Sequence, residues 1–296
     1  MTDPIRLALV GCGWISNNHV RAYQDLMARG CDAFTVTAVV DPQPEAAARQ
    51  AEAIAAFQGT KPRTFGSIEA LARAGEADAA DICVPHCFHH TAAAEALAGD
   101  LHVLLEKPLG LTVAASRAIL AAARERGKVL ATAENVRRTR TCRACAWAMT
   151  QDKAIGDVRA ADVVFLQHGP LDLDDPKFKW RAVKSLTGGG MIMDSGAHLT
   201  DMMLVLFGEP ETVYCSMSTL SAASIADVPI LGTAVVDVED EWHAVIRFRN
   251  GVRLTWTFSR VCPGDQAAHG KYYGSEGTFV DTGFVMHPFQ GGGEIH

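Results

Sequence analysis

Apolar residues in the first 135 positions fall into short unbroken runs separated by longer stretches with helical spacing. The runs are residues 5–10, 34–40, 80–84, 102–105 and 129–133; the stretches between them include 17–29, 44–58, 67–74, 89–98 and 112–126. Short runs with no polar alternation suit strands buried on both faces. Ser67 and Thr112 stand where helix N-caps are expected, and Gly75, Gly99 and Gly127 where helices stop. Strands alternating with helices of this length predict a parallel, doubly wound α/β sheet. The strand ends at Val10, Asp41, Val84 and Glu106 would converge on the edge where such sheets hold ligands.

The texture changes after residue 136. A helix over 140–150 leads into a long strand, Asp157 to Gln167, and then a polar loop with Pro170, Pro176 and Gly188-Gly189-Gly190. Met191 to Phe207 reads as one amphipathic helix ended by Gly208. Beyond it the period is two. Trp242, Ala244, Ile246 and Phe248 share one face, Asn250-Gly251 is a hairpin turn, and Val252, Leu254, Trp256 and Phe258 share a face again. This is a mostly antiparallel sheet with one apolar face, and the helix at 191–207 and its neighbour are expected to cover it. The opposite face, with His243, Arg247, Arg249 and Arg253, is more polar. Residues 1–135 and 136–296 are therefore expected to be an α/β domain and an α+β domain. The stretch Phe289 to Glu294 does not read as a packed segment.

Composition narrows the function. The chain has 296 residues, 48% of them hydrophobic, and a net charge of −7 with no basic block, which argues against nucleic-acid or anionic-membrane surfaces. No apolar run reaches the ~18 residues of a membrane span, and the first residues lack a signal-peptide layout. Eight cysteines without such a signal read as reduced thiols, so the cytoplasm is the expected location. Cys142-x-x-Cys145 and the group Cys83, His86, Cys87, His89 and His90 carry metal-ligand atoms, but their spacing is not that of a zinc site, and no metal is expected.

The candidate chemistry begins at the first strand, which feeds Gly11-Cys12-Gly13-Trp14-Ile15-Ser16. The first Gly permits a tight turn, the second lets backbone approach a pyrophosphate, and the next helix aims its N-terminus at the phosphates. Asp41 ends the second strand, where a carboxylate accepts bonds from ribose hydroxyls. This is a dinucleotide-binding Rossmann pattern, with Ser16 at the third small position. Glu106-Lys107-Pro108 places a lysine at a strand end; alone, it reads equally as a surface lysine before a proline, whose peptide bond could be cis. Asp194 and His198, four apart, would share a helix face, and a carboxylate beside an imidazole suits a general base. Alone, such a pair is commonly a surface contact.

Taken together these segments resemble the Gfo/Idh/MocA family, that of glucose-fructose oxidoreductase and inositol dehydrogenase. The resemblance runs through GCGWIS and Asp41, Val84-Pro85-His86-Cys87-Phe88-His89, the segment Gly99 to Pro108, Trp180-Arg181, the run Gly188 to Asp201, and Tyr273-Gly274-Ser275-Glu276-Gly277-Thr278. It implies a nicotinamide-dependent dehydrogenase of a secondary alcohol in a sugar, cyclitol or sugar derivative. His198 would be the base, Lys107 would stabilise the same oxygen, and Asp194 would hold a neighbouring hydroxyl or relay the proton. Cofactor contacts would come from Gly11, Gly13, Trp14, Ile15, Asp41, Pro85, His86, His89, Glu106, Lys107 and Asn135. His86 stands where the family commonly has Asn. Asp41, followed by Pro42 with no Arg before Arg49, favours NAD over NADP. Arg137, His168, Trp180, Arg181 and Lys184 are candidate substrate contacts, and each reads equally as a core or solvated side chain. The resemblance also implies a homodimer or homotetramer formed through the second domain's sheet. Two other functions fit the same residues: an NAD-dependent glycoside-cleaving enzyme using transient oxidation, and a non-catalytic sugar or dinucleotide sensor.

Overall fold

The five unbroken apolar runs become five strands of a six-stranded parallel sheet because their successive side chains enter two different cores. A computed structural model describes residues 3–169, 173–264, 266–281 and 293–296. It divides into two units, Met1–Ala133 and Glu134–His296.

The first unit runs β1 (Ile5–Val10), α1 (Ser16–Ala28), β2 (Phe34–Val40), α2 (Pro44–Gln58), β3 (Arg63–Phe65), α3 (Ile68–Ala74), β4 (Ala79–Ile82), α4 (His89–Ala98), β5 (His102–Leu105), α5 (Val113–Glu125) and β6 (Leu130–Thr132). Strand order is β3-β2-β1-β4-β5-β6, every neighbouring pair parallel, with the reversal of direction between β1 and β4. This is the Rossmann order, whose ligands lie at that switch point. Ala8 and Val10 join the core under α3, α4 and α5, while Leu9 joins the one under α1 and α2. The caps form as expected: Ser67 Oγ accepts from the Ala70 amide at 3.1 Å and Thr112 Oγ1 from the Ala115 amide at 3.1 Å. The sequence pattern misses β3, an edge strand whose Arg63 and Thr64 are exposed, so no apolar run marks it.

The second unit contains α6 (Arg140–Thr150), β7 (Ala160–Leu166), α7 (Pro176–Lys179), α8 (Lys184–Thr187), α9 (Met191–Asp194), α10 (Gly196–Phe207), β8 (Pro210–Ser218), β9 (Ser224–Val228), β10 (Gly232–Val235), β11 (Glu241–Phe248), β12 (Arg253–Ser259), β13 (Ala267–Tyr273), β14 (Thr278–Asp281) and β15 (Gly293–Ile295). Seven strands form one sheet in the order β15-β14-β13-β7-β12-β11-β8, antiparallel except for the β7–β12 pair. Its apolar face carries Trp242, Ala244, Leu254, Trp256 and Phe258, packed under Cys142, Cys145 and Met149 of α6 and Leu199, Met202 and Phe207 of α10. Trp242 stacks on Phe258 with centroids 4.0 Å apart and meets Trp256 edge-on at 5.1 Å. The Asn250-Gly251 turn closes the β11–β12 hairpin with Gly251 at φ 90, a conformation open to glycine at little cost.

Two expectations need correction, and the boundary expected after residue 135 lies two residues from the observed division. The helix expected over 191–207 is broken at Ser195, where α9 ends and α10 begins. The Glu239 carboxylate sets the start of α9 by accepting from the amides of Gly190 at 2.8 Å and Ile192 at 3.0 Å. The division of the chain falls after Ala133, which puts Glu134 and Asn135 in the second unit. The stretch read as unpacked is partly paired, since Gly293–Ile295 form β15 against β14; Phe289 to Gly292 lie outside the described residues, as does Pro170. No helix among the described residues is long and apolar enough to cross a membrane.

The sheet's two faces give a stability test. Leu254 is fully enclosed, whereas Val245 on the other face is 50% exposed. Leu254→Ala should lower the unfolding free energy by about 2–5 kcal/mol. Val245→Ala should change it by less than about 0.5 kcal/mol in the dissociated chain. Urea unfolding followed by tryptophan fluorescence measures both.

Candidate active site

The turn after β1 is built around Gly11. Its φ is +88, and a Cβ there would stand 2.7 Å from the Cys83 carbonyl oxygen at the end of β4, so any side chain is excluded. At Gly13 no described residue other than its chain neighbours comes within 4 Å of the Cβ position, which leaves outward room for close approach by a ligand. The following α1 has no side-chain cap and no acidic residue in its first turn. Its leading amides are therefore suited to an anion. Asp41 braces the same turn: Oδ2 accepts from the Cys12 amide at 2.8 Å and Oδ1 from the Gln43 amide at 2.8 Å. A carboxylate retains further lone pairs for ribose hydroxyls. Trp14, 55% exposed, projects from the turn. These residues fit a dinucleotide.

Beside this turn lies a buried ionic chain. His19, on α1, has Nδ1 2.7 Å from Asp81 Oδ2 and Nε2 2.9 Å from Glu106 Oε1. Tyr23 donates to Asp81 from the same helix. The other Glu106 oxygen accepts from the Lys107 amide at 2.9 Å, and the Lys107–Pro108 bond is cis. Burial opposes a charged His19 ring, but its bonds to Asp81, Cys83 and Glu106 prevail and its pKa is pushed up to about 12. Burial likewise works to raise the Glu106 carboxyl, yet His19 and Lys107 hold it below the usual carboxylate value. His19, Asp81 and Cys83 also form the cluster of potential metal ligands among the described residues, with the ring already bonded to carboxylates on both sides.

His89 is fully buried with Nδ1 2.6 Å from the Pro108 carbonyl oxygen and Nε2 3.0 Å from that of Val84. It ties the end of β4 to the cis turn, and burial lowers its pKa. His86, in the short helical turn that follows Pro85, is buried edge-on against His89.

In the second unit His198 has a carboxylate partner besides the Asp194 expected from spacing. His198 Nδ1 lies 2.8 Å and 2.9 Å from the two oxygens of Glu134. This carboxylate comes from the segment after β6. Asp194, at the end of α9, has Oδ2 3.8 Å from an Arg181 nitrogen. The Arg181 guanidinium also lies over the rings of Trp180 and Phe178, at 5.2 Å and 5.4 Å from their centroids. Arg137 makes a forked pair with Asp201 of α10. His168 is exposed, bridged through its backbone to Val261. Asn135 leads into the short turn Val136–Arg138, and the Lys184 amide donates to Asp237.

Sequence reasoning therefore missed His19, Asp81, Glu134 and Glu239. Each acts on a partner far along the chain, so no local spacing announces it. The one readable hint is His19, a histidine one turn into the helix after a dinucleotide turn.

Residues 5–134 match the oxidoreductase family with an NAD-binding Rossmann fold, and residues 145–280 match the GFO/IDH/MocA C-terminal domain. The chain is similar to the levoglucosan dehydrogenase of Pseudarthrobacter phenanthrenivorans, with 28% identity over 93% of this chain and 73% of the relative. It is also similar to the 1,5-anhydro-D-fructose reductase of Ensifer adhaerens, with 30% identity over 77% of this chain and 60% of the relative. Among solved structures it resembles the WlbA dehydrogenase of Bordetella pertussis in complex with NADH and UDP-GlcNAcA. There the TM-score is 0.77 at 25% identity, over 96% of this chain and 80% of that one.

The His19 site yields a pH prediction. Its folded-state pKa lies far above the ~6.5 of an unfolded histidine. Its proton therefore stabilises the fold fully below about pH 6.5, and that contribution is lost progressively as pH rises toward 12. In NMR spectra the His19 ring should keep its protonated chemical shifts from pH 6 to 9. A midpoint inside that range would show that the ring is not held as a cation.

Proposed function

Because the chain belongs to the Gfo/Idh/MocA family of oxidoreductases with an NAD-binding Rossmann domain, we propose that it oxidises a secondary alcohol of a sugar, cyclitol or sugar derivative. The observation that carries this reading is the His198 imidazole held at Nδ1 by Glu134. With Nδ1 so bonded, Nε2 is the nitrogen that takes up the hydroxyl proton, and the nearby carboxylate stabilises the resulting cation. Lys107 contributes a cation that stabilises negative charge developing on the alcohol oxygen. Asp194 positions a neighbouring hydroxyl. NAD, when bound, supplies the hydride acceptor.

The Gly11–Ile15 turn and the start of α1 would hold the pyrophosphate, and Asp41 the adenosine ribose. Trp14, Pro85, His86 and Asn135 are assigned to the remaining cofactor contacts. Glu106 and His89 are assigned instead to shaping the turn that carries Lys107, as their bonds indicate. Trp180 and Arg181 are assigned to the substrate together with His168. Arg137 is assigned to holding α10 through Asp201. The cytoplasm is the proposed compartment.

The direct test is near-ultraviolet absorbance of reduced nicotinamide with NAD and a panel of hexoses, anhydrosugars, cyclitols and uronates. Rising absorbance with one class supports the reading and names the class. Flat traces from a protein that retains NAD would favour redox-assisted glycoside cleavage.

Lys107→Ala and His198→Ala should each lower kcat by about 10²–10⁴ while NAD binding persists. Glu134→Ala should lower kcat by at least about tenfold through its hold on His198. Asp41→Ala should shift the NAD-over-NADP preference in kcat/KM toward NADP by about tenfold or more, since the repulsive carboxylate is gone.

The second unit's sheet is also proposed to join copies of the chain. Tyr214 and Val245, paired across β8 and β11, are 72% and 50% exposed on the face away from the helices. Light scattering should give a dimer or tetramer, and a monomeric mass would refute this.

A further inference from the structure

The ionic chain in the first unit has a direction. It starts at Asp81 in the interior of β4, passes through the His19 ring on α1 to Glu106, and ends on the backbone of Lys107. Asp81 is fully buried, and the side chains of His19 and Glu106 are 13% and 12% exposed. The charged groups around His19 are Asp81 and Glu106, with Cys83 and Tyr23 set against Asp81 and with Lys107 beyond Glu106. Removing the ring would leave two carboxylates facing one another in a poorly solvated space. Glu106 would then turn away, releasing the amide that its second oxygen holds.

We propose that His19 is a positioning residue for Lys107: its ring fixes the Glu106 carboxylate, whose other oxygen fixes the backbone from which the lysine amine projects. This rests on the catalytic assignment of Lys107. His19 has no role at the reacting atoms. It acts through Glu106, and displacements of ~1 Å at a catalytic group cost about 10²-fold in rate.

The test is a double-variant cycle on kcat with His19→Gln, Lys107→Ala and both together, NAD affinity being followed by calorimetry. His19→Gln should lower kcat about 10–100-fold and leave the NAD dissociation constant within about threefold. In the Lys107→Ala background the same change should have little further effect, because the group it positions is gone. Full additivity would overturn the proposal and leave His19 as a structural residue only. Undiminished turnover in Lys107→Ala alone would instead remove the assignment of Lys107, whatever His19 does.

Glu106→Asp gives an answer even if His19→Gln fails to fold. It keeps the charge opposite His19 but is one methylene too short to hold ring and amide together. The proposal expects normal thermal stability with kcat reduced at least about tenfold. Unchanged kcat with normal stability would contradict it.

Discussion

A buried histidine cation between two carboxylates organises the nucleotide-side half of this protein. Burying any one of these groups alone would cost several kcal/mol. His19, Asp81 and Glu106 offset that cost only when α1, β4 and the turn after β5 stand in register. Those segments carry, respectively, the uncapped helix start, the strand end against which Gly11 closes, and the cis turn bearing Lys107. A fold that misplaced one of them would strand a charge in the interior. The arrangement thus couples the geometry of the candidate cofactor cradle to that of the lysine, through side chains that need touch neither ligand.

The second unit solves a parallel problem with separate carboxylates. Glu134 orients the His198 ring, and Glu239 holds the amides at the start of α9, whose last residue is Asp194. The glycine run before α9 is short of space. A Cβ on Gly190 would stand 2.3 Å from the Glu239 carbonyl oxygen. The break at Ser195 then lets α10 pack Leu199, Met202 and Phe207 on the sheet while His198 meets Glu134. The aromatic face of Trp242, Trp256 and Phe258 gives that helix a rigid floor.

Much of this was legible because it is local. The alternation of apolar runs and helical stretches reports a two-sided core directly, and caps such as Ser67 and Thr112 lie within three residues of the amides they serve. The glycine turn, Asp41 and the Glu-Lys-Pro segment are contiguous motifs whose residue types follow from backbone and ligand chemistry. His19 sits 62 residues from Asp81 and 87 from Glu106, on a helix whose pattern reads as an ordinary amphipathic surface. Glu134 follows a strand end and looks like the first residue of a linker, although its partner is 64 positions away. The run Met191 to Phe207 keeps a continuous helical period, so the break at Ser195 leaves no trace in it. The spacing of Asp194 and His198 suggested a carboxylate partner for the imidazole; a partner besides Asp194 arrives from another segment. Strand β3, with polar exposed residues, shows the limit of hydrophobic patterning at a sheet edge.

The central claim is that this chain moves a hydride from a sugar-type carbinol carbon to NAD. Single-turnover reaction with a substrate deuterated at the oxidised carbon tests it most directly. The label should be recovered on the nicotinamide ring of the reduced cofactor, with a primary isotope effect on its appearance. Recovery of the label in water, with no reduced nicotinamide formed at any stage, would contradict it.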